Sequence, residues 1–144
     1  MDPATEPVGL SVAFQLVVPL RFNPAPGEAL GAAIPPDWID QIEDELDAKW
    51  GGVTAWDGYG RSSYQDGQRY REPQRYFVVD RPIGDAAHVW DWFAARCPQW
   101  ARQFDQREIY LRVQASGMLL AYRFPSPDAP SQPEFANPFR LSPP

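Results

Sequence analysis

Residues 51–79 read GGVTAWDGYGRSSYQDGQRYREPQRYFVV and carry the clearest structural signal in the chain. Two short runs of β-branched and aromatic residues, Val53 to Trp56 and Arg75 to Val79, flank a glycine-rich segment that includes Gly58, Gly60 and Gly67. Such runs on either side of turn residues are typical of a β-hairpin. We therefore predict a central hairpin that carries these glycines in its loop.

Before the hairpin, the sequence predicts a strand and then a helix. Apolar residues alternate from Leu10 to Phe22, which is the period of a strand, and Pro19 favours an edge position or the strand end. From Pro36 to Trp50 the apolar residues recur at helical spacing, while the other positions are mostly acidic. Gly51-Gly52 then stops this helix, most simply through a left-handed cap.

After the hairpin, the sequence predicts a second helix and two final strands. Asp85 is a suitable N-cap for an apolar stripe that continues to Phe104, and Pro98 either kinks this helix or opens another short one. Glu108 to Gln114 alternates as a strand, and a short turn leads into a last strand from Met118 to Phe124.

The resulting element order, β-α-β-β-α-β, is the pattern of the ferredoxin-like split βαβ fold. We predict an α+β sandwich of this type, with an antiparallel sheet, two helices on one face and an extra C-terminal strand. The 17 prolines crowd the two ends of the chain. The predicted domain organisation is therefore a flexible arm at 1–8, a single α+β domain at 9–124 and a proline-rich tail at 125–144, which either hangs free or docks on the domain.

Three short features resemble those of a loose group of small, uncharacterised bacterial proteins with the same element order. They are a Gly-Gly-x-Thr turn at Gly51, Gly52 and Thr54, an acidic residue at Glu72 after a glycine and aromatic hairpin, and Gln106 with Glu108 before the fourth strand. The resemblance covers about residues 10–114. It implies the fold and carries over no function.

Composition restricts the kinds of site that the chain can build. One cysteine, Cys97, excludes an internal disulfide, and with a single histidine, His88, it cannot make a Cys/His zinc site. We expect no cofactor and no metal. The first twenty residues lack the pattern of a signal peptide, and no apolar run reaches the roughly 20 residues of a membrane span, so we predict a cytoplasmic protein without membrane contact.

Charge is unevenly distributed along the chain, whose net charge is −6. Residues 1–58 hold ten acidic and two basic residues, whereas residues 59–144 hold nine acidic and eleven basic residues. A polarised surface follows if the fold keeps these halves apart. The acidic face of the first helix is consistent with an ordinary solvated surface, with docking of a basic partner, or with mimicry of nucleic acid.

The hairpin is the best candidate for a working surface, because guanidinium and aromatic groups interleave along it. This mixture stacks on bases and contacts phosphates, and it is equally enriched at hot spots of protein–protein interfaces. It is also what a hairpin needs if the rings pack and the arginines pair with carboxylates. The candidate binding residues are Trp56, Tyr59, Arg61, Tyr64, Arg69, Tyr70, Arg71 and Arg75.

The sequence contains no established catalytic motif. There is no P-loop, no GxGxxG and no carboxylate cluster with metal-ligand spacing. Cys97 lies on the apolar stripe of the second helix, where an inert buried thiol is expected. An acid–base pair of Asp57 with Glu72 across the hairpin, or a polarising pair of Tyr59 and Arg61, stays open.

We therefore predict no catalytic residue and a non-enzymatic, protein-binding module of a bacterial, plasmid or phage accessory protein. Its contact surface is the hairpin, and homodimerisation through the sheet accompanies it. The alternatives are a nucleic-acid-binding ferredoxin-like domain and a small dimeric ferredoxin-like enzyme with a pocket between sheet and helices.

Overall fold

A computed structural model of the chain describes residues 9–28, 30–63 and 69–140, with side chains described outside 61–71. Eight elements follow in order: β1 (Ser11–Pro19), α1 (Pro36–Trp50), β2 (Thr54–Ser63), β3 (Arg69–Pro82), a 3-10 turn (Ile83–Asp85), α2 (Ala86–Gln103), β4 (Glu108–Ala115) and β5 (Met118–Pro125). In the described residues, no helix is long and apolar enough to cross a membrane.

The strands form one five-stranded sheet in the order β2-β3-β1-β4-β5. Every neighbouring pair is antiparallel. Helix α1 connects β1 with β2, helix α2 connects β3 with β4, and β5 extends the sheet beyond β4. The predictions of an α+β protein with one antiparallel sheet, two helices and an added C-terminal strand are confirmed.

The core lies between one face of the sheet and both helices. Alternate residues of the central strand β1, from Val12 to Val18, are fully buried on this face. The Phe14 ring stacks on Phe93 of α2, with 5.6 Å between the ring centroids. The two helices are joined by Arg96, whose Nε donates to Glu45 Oε1 at 2.7 Å. Both helices therefore cover the same face.

The opposite face of the sheet, here called the open face, carries Val17, Tyr76 and Tyr110, which are cross-strand neighbours. No helix of the described chain packs against it. Arg112 lies over the Tyr110 ring, with its guanidinium carbon 5.3 Å from the ring centroid. Strand β2 and strand β5 form the two edges of this face.

The helix boundaries follow the sequence closely. Helix α1 ends at Gly51, which adopts φ 76° and donates its N–H to Asp47 O at 2.8 Å, the left-handed cap that was expected. Helix α2 runs through Pro98 as one continuous helix, so of the two predictions a separate short helix is wrong. Asp85 precedes α2 without capping it, because its carboxylate instead accepts a hydrogen bond from Arg81 Nη2 at 2.7 Å.

The central hairpin is longer than predicted. Its strands extend to Ser63 and from Arg69, so Gly58 and Gly60 lie within β2 and not in a loop. Conversely, β1 stops at Pro19, short of Phe22. Leu20 N still donates to Pro73 O at 3.1 Å, but Arg21 pairs with Ala33 and no longer with β3. Turn composition alone did not reveal that glycines were needed inside a strand.

The proline-rich segment after β5 docks on the domain over residues 126–140. The Phe135 ring packs edge-on against Phe124 and Tyr122, with centroid distances of 5.0 and 5.7 Å. Asn137 Nδ2 donates to the carbonyl of Ala87 at 2.8 Å, and Asp91 accepts from the same nitrogen at 2.9 Å. The predicted arm at 1–8 lies outside the described residues, and the division into arm, domain and tail stays a prediction.

Candidate functional site

The base of the β2/β3 hairpin presents different chemistry on its two faces. In the antiparallel register Trp56 faces Tyr76, and Asp57 faces Arg75. Because side chains alternate along a strand, the aromatic pair lies on the open face and the charged pair lies on the face toward α1. The contact of Arg75 with Asp40 of α1, at 4.0 Å, agrees with this assignment.

On the open face, Trp56 and Tyr76 form a parallel aromatic stack. Their ring centroids are 5.5 Å apart and their planes differ by 10°. The Tyr76 hydroxyl donates a hydrogen bond to Gln74 Oε1 at 2.9 Å, which fixes the orientation of the Tyr76 ring. Trp56 remains 43% exposed, so a large part of its indole surface is available to a ligand.

The glycines of β2 make room for this arrangement. A Cβ added at Gly58 would lie 2.7 Å from Tyr76 Cε2, and one added at Gly60 would lie 2.6 Å from Gln74 Nε2. The side chains of Tyr76 and Gln74 therefore lie flat across strand β2, where only hydrogen atoms leave enough space. This close approach explains why two glycines occur inside a strand, where they are otherwise unfavourable.

On the face toward α1, Arg75 holds the Asp57 carboxylate with two hydrogen bonds. Arg75 Nε donates to Asp57 Oδ1 at 2.6 Å, and Nη2 donates to Oδ2 at 3.3 Å. The hydrogen bond from Arg75 lowers the pKa of Asp57, and the bond to Asp57 raises the pKa of Arg75. Asp57 is thus held ionised and is a poor proton acceptor at neutral pH.

The structure excludes the predicted acid–base pair of Asp57 with Glu72. Glu72 is the cross-strand partner of Gly60, two residues from Gln74, and so belongs to the open face. Asp57 lies on the other face of the same sheet. Two carboxyl groups on opposite faces of a sheet cannot act on one substrate atom.

The candidate binding residues do not form one continuous surface. Trp56 lies on the open face, whereas Tyr59 and Arg75 belong to the face toward α1. Tyr59 is 63% exposed. The backbone of Arg61, Arg69, Tyr70 and Arg71 is part of the hairpin strands, but their side chains lie outside the described residues, as does the whole of Tyr64.

Sequence reasoning missed Gln74 and Asp40 as members of these two clusters. The cross-strand register would have found Gln74, since it pairs this residue with Gly58. This pairing can be derived only once the hairpin strands are known to run past the glycines. Asp40 had no sequence signal beyond the acidic helix face.

The residues weighed for covalent or metal chemistry have structural roles. Cys97 is fully buried, and this burial raises the pKa of its thiol. His88 lies edge-on to the Trp50 ring at 5.8 Å. Among the described residues, no three His, Cys, Asp or Glu side chains are grouped so that they could hold a metal ion.

Two cavities lie beside the docked tail. The smaller, of about 140 Å³, is lined mainly by aromatic residues and prolines, including Trp90, Phe124 and Phe135. The larger, of about 530 Å³, lies between Arg107 and Asp128. The smaller cavity is bounded by α2, the edge strand β5 and the docked tail, whereas the larger one is bounded by the start of β4, the end of β5 and the tail. The substrate pocket between sheet and helices, which belonged to the alternative of a small ferredoxin-like enzyme, stays a prediction.

No family model matches this chain, and no curated protein matches it. Two solved structures share its fold, a phage SAM lyase in its apo state and a phage SAM lyase in complex with S-methyl-5'-thioadenosine. The apo structure aligns with a TM-score of 0.62 at 13% identity and covers 85% of this chain and 96% of that chain. The complex gives a TM-score of 0.61 at 12% identity, with 87% and 98% covered. At this identity the likeness shows a common fold.

The prediction of a non-enzymatic protein-binding module is wrong, because the solved structures that share this fold over almost their whole length are structures of an enzyme. Homodimerisation was inferred as the companion of that module and has no support in these structures. A separate protein partner and contact with nucleic acid are untested and stay predictions. The resemblance to uncharacterised bacterial proteins likewise stays a prediction.

Proposed function

We propose that this protein is a lyase that cleaves S-adenosylmethionine and releases S-methyl-5'-thioadenosine. One observation carries the proposal: the fold is shared with phage SAM lyase over 96% and 98% of the length of the two solved chains. The two alignments have TM-scores of 0.62 and 0.61.

The reaction breaks a single bond of the substrate. The sulfonium sulfur carries a methyl group, the adenosyl 5' carbon and the γ carbon of the methionine chain. To leave S-methyl-5'-thioadenosine, only the bond from sulfur to the γ carbon breaks, and its electron pair goes to sulfur. We propose that the substrate carboxylate attacks the γ carbon and closes homoserine lactone, so that no water enters and no proton is transferred.

This chemistry needs binding and exclusion of water more than it needs a catalytic acid or base. The positive sulfonium and the negative carboxylate neutralise each other in the transition state, and water stabilises the separated charges of the ground state. A protein that folds the methionine chain back on itself and removes water accelerates the step. Aromatic rings suit the sulfonium because they attract cations without hydrating them.

The charge of the chain suits a cationic substrate. S-adenosylmethionine carries a net positive charge at neutral pH, and this protein has a net charge of −6. Two carboxylates of α1 lie beside the hairpin base, since the exposed Asp40 and the half-buried Glu43 both act on the charge of Arg75. Clustered negative charge raises the local concentration of a cation and speeds its association at low salt.

We further propose that the architecture is ferredoxin-like, with β5 as an addition at the edge. Support comes from the first four strands, which run in the order β2-β3-β1-β4, so that each helix connects two parallel strands with a third strand between them. A cytoplasmic location is also proposed, because an enzyme of this kind has to meet its substrate inside the cell.

The proposal is tested by incubating the purified protein with S-adenosylmethionine in ¹⁸O-labelled water and identifying the products by mass spectrometry. We expect S-methyl-5'-thioadenosine and, at early times, homoserine lactone free of ¹⁸O. Homoserine with ¹⁸O in its γ-hydroxyl would overturn the lyase in favour of a hydrolase. S-adenosylhomocysteine, which lacks the sulfonium charge, is the control and should stay intact.

A further inference from the structure

We propose that Trp56, backed by Tyr76, is the platform on which the adenine ring of the substrate stacks, on the open face of the sheet. The inference rests on the proposed function, which makes both the substrate and the released thioether adenine nucleosides. Stacking of a base on an aromatic side chain is a recurrent way to bind a flat heterocycle. The following features of the hairpin support this assignment.

The indole ring of Trp56 has one face covered and one face free for a ligand. Tyr76 stacks against it with a plane angle of 10°, which covers the first face. The ring is nevertheless 43% exposed. Strand β2 lies at the edge of the sheet, so within the described chain no further strand covers Trp56 from the outer side.

The platform is held in place before any ligand binds. Tyr76 is fixed at its far end by the hydrogen bond from its hydroxyl to Gln74 Oε1, at 2.9 Å. The Tyr76 ring also extends over Gly58 of the neighbouring strand, where an added methyl group would come within 2.7 Å of the ring. A ring that is fixed in advance loses little freedom when a base stacks beside it, which favours binding. Gln74 is thus a positioning residue, acting through Tyr76.

The charged groups of the hairpin base are kept away from this platform. Asp57 and Arg75 neutralise each other on the opposite face of the sheet, through hydrogen bonds of 2.6 and 3.3 Å. The direct cross-strand neighbour of Trp56 on the open face is the Tyr76 ring, followed along β3 by the amide of Gln74, and Glu72 lies beyond Gln74, opposite Gly60. A neutral, flat heterocycle suits such a surface better than the charged methionine end of the substrate does.

The test measures binding of S-methyl-5'-thioadenosine by calorimetry and steady-state cleavage of S-adenosylmethionine in four variants. Trp56→Ala should raise both the Kd and the KM by about tenfold, the loss expected for one stacked base. Trp56→Phe keeps a ring and should stay within about threefold of the wild type. Gly58→Ala displaces Tyr76 and should weaken binding although Trp56 is intact. Leu119→Ala, which removes another exposed apolar side chain of the open face, should change nothing.

Trp56→Phe also gives a spectroscopic test that is independent of activity. Addition of S-methyl-5'-thioadenosine should quench the tryptophan fluorescence of the wild type, and this change should largely disappear in Trp56→Phe while calorimetry still detects binding. Unaltered quenching in that variant, or an unchanged Kd in a folded Trp56→Ala, would overturn the platform. If the wild type cleaves S-adenosylmethionine in either of these cases, only the platform fails. If the wild type neither binds nor cleaves, the proposed function fails and the platform with it.

Discussion

Arg75 on β3 donates two hydrogen bonds to the carboxylate of Asp57 on β2, at 2.6 and 3.3 Å, on the face of the sheet toward α1. This bidentate pair joins two neighbouring strands at the base of the hairpin. It also brings in Asp40 of α1, 4.0 Å from Arg75, so that the helix and the hairpin meet at one guanidinium group. The charged and the aromatic functions of the hairpin are thereby separated onto different faces.

The Asp57 pair predicts a small dependence of stability on acid pH. Arg75 lowers the pKa of Asp57 in the folded state from its ordinary value of 3.8. The pair therefore stabilises the fold above about pH 4 and loses this contribution as the pH falls through the folded pKa. Because Asp57 is 58% exposed, we expect Asp57→Asn to lower the Tm at pH 6 by only about 1–3 °C. In thermal melts from pH 6 to pH 2, the Tm difference between the wild type and Asp57→Asn should shrink. A Tm difference that grows toward pH 2 would contradict the account.

The two strand glycines predict unequal effects of the same substitution. At Gly58 an added methyl group meets the Tyr76 ring, which the Trp56 stack and the Gln74 bond hold in place. At Gly60 it meets only the flexible end of Gln74. We expect Gly58→Ala to cost about 1–3 kcal/mol of unfolding free energy, as overpacking does. Gly60→Ala should cost less in the same urea titration, because the end of Gln74 can rotate away, and equal losses at both sites would contradict the arrangement.

The sequence predicted the helices, the strands β1, β4 and β5, and the order of the elements along the chain, because each depends on local chemistry. Helix α1 was bounded correctly at Pro36 and Trp50, since a proline at its start and a glycine after its end act within one turn. The final strands were equally clear from alternation over Glu108–Ala115. The extent of the hairpin was not predictable in this way. Gly58 and Gly60 signal a turn locally, and their role in a strand depends on Tyr76 and Gln74 of the neighbouring strand.

The candidate site was predicted only in part, because residue type is a local signal whereas the pairing of strands is not. Trp56 and Arg75 were singled out by residue type, but their separation onto opposite faces depends on register, which no local pattern gives. The proposed function gives no sequence signal, for a chemical reason. Sequence motifs report nucleophiles, bases and metal ligands, whereas the proposed displacement takes both its nucleophile and its leaving group from the substrate. The fold it shares with phage SAM lyase at 12–13% identity was visible only in three dimensions.

The thiol of Cys97 should be unreactive in the folded protein. It is fully buried, and burial raises its pKa well above the usual range. Each pKa unit lowers the thiolate fraction about tenfold, so reaction with Ellman's reagent at pH 8 should be at least about tenfold slower than in urea-unfolded protein. If Cys97 of the folded protein reacted as fast as it does in the unfolded protein, α2 would open readily and the description of the core would be wrong.

The docked tail should contribute measurably to stability through Phe135. Its half-buried ring contacts Phe124 and Tyr122, at centroid distances of 5.0 and 5.7 Å. We expect Phe135→Ala to lower the unfolding free energy by about 1–2 kcal/mol, because a ring that is only partly removed from water contributes less than a fully buried one. Glu134→Ala, at an exposed neighbouring position, is the control. Identical urea midpoints for the two variants would mean that the tail does not hold to the domain in solution.

The most direct test of the account is the rate at which S-methyl-5'-thioadenosine appears when the purified, folded protein is mixed with an excess of S-adenosylmethionine. The account predicts an initial rate proportional to protein concentration, many turnovers per chain, and little product from an equal amount of Trp56→Ala at substrate concentrations below the wild-type KM. Intact S-adenosylmethionine after prolonged incubation with protein whose melting curve shows it to be folded would contradict the proposed lyase function.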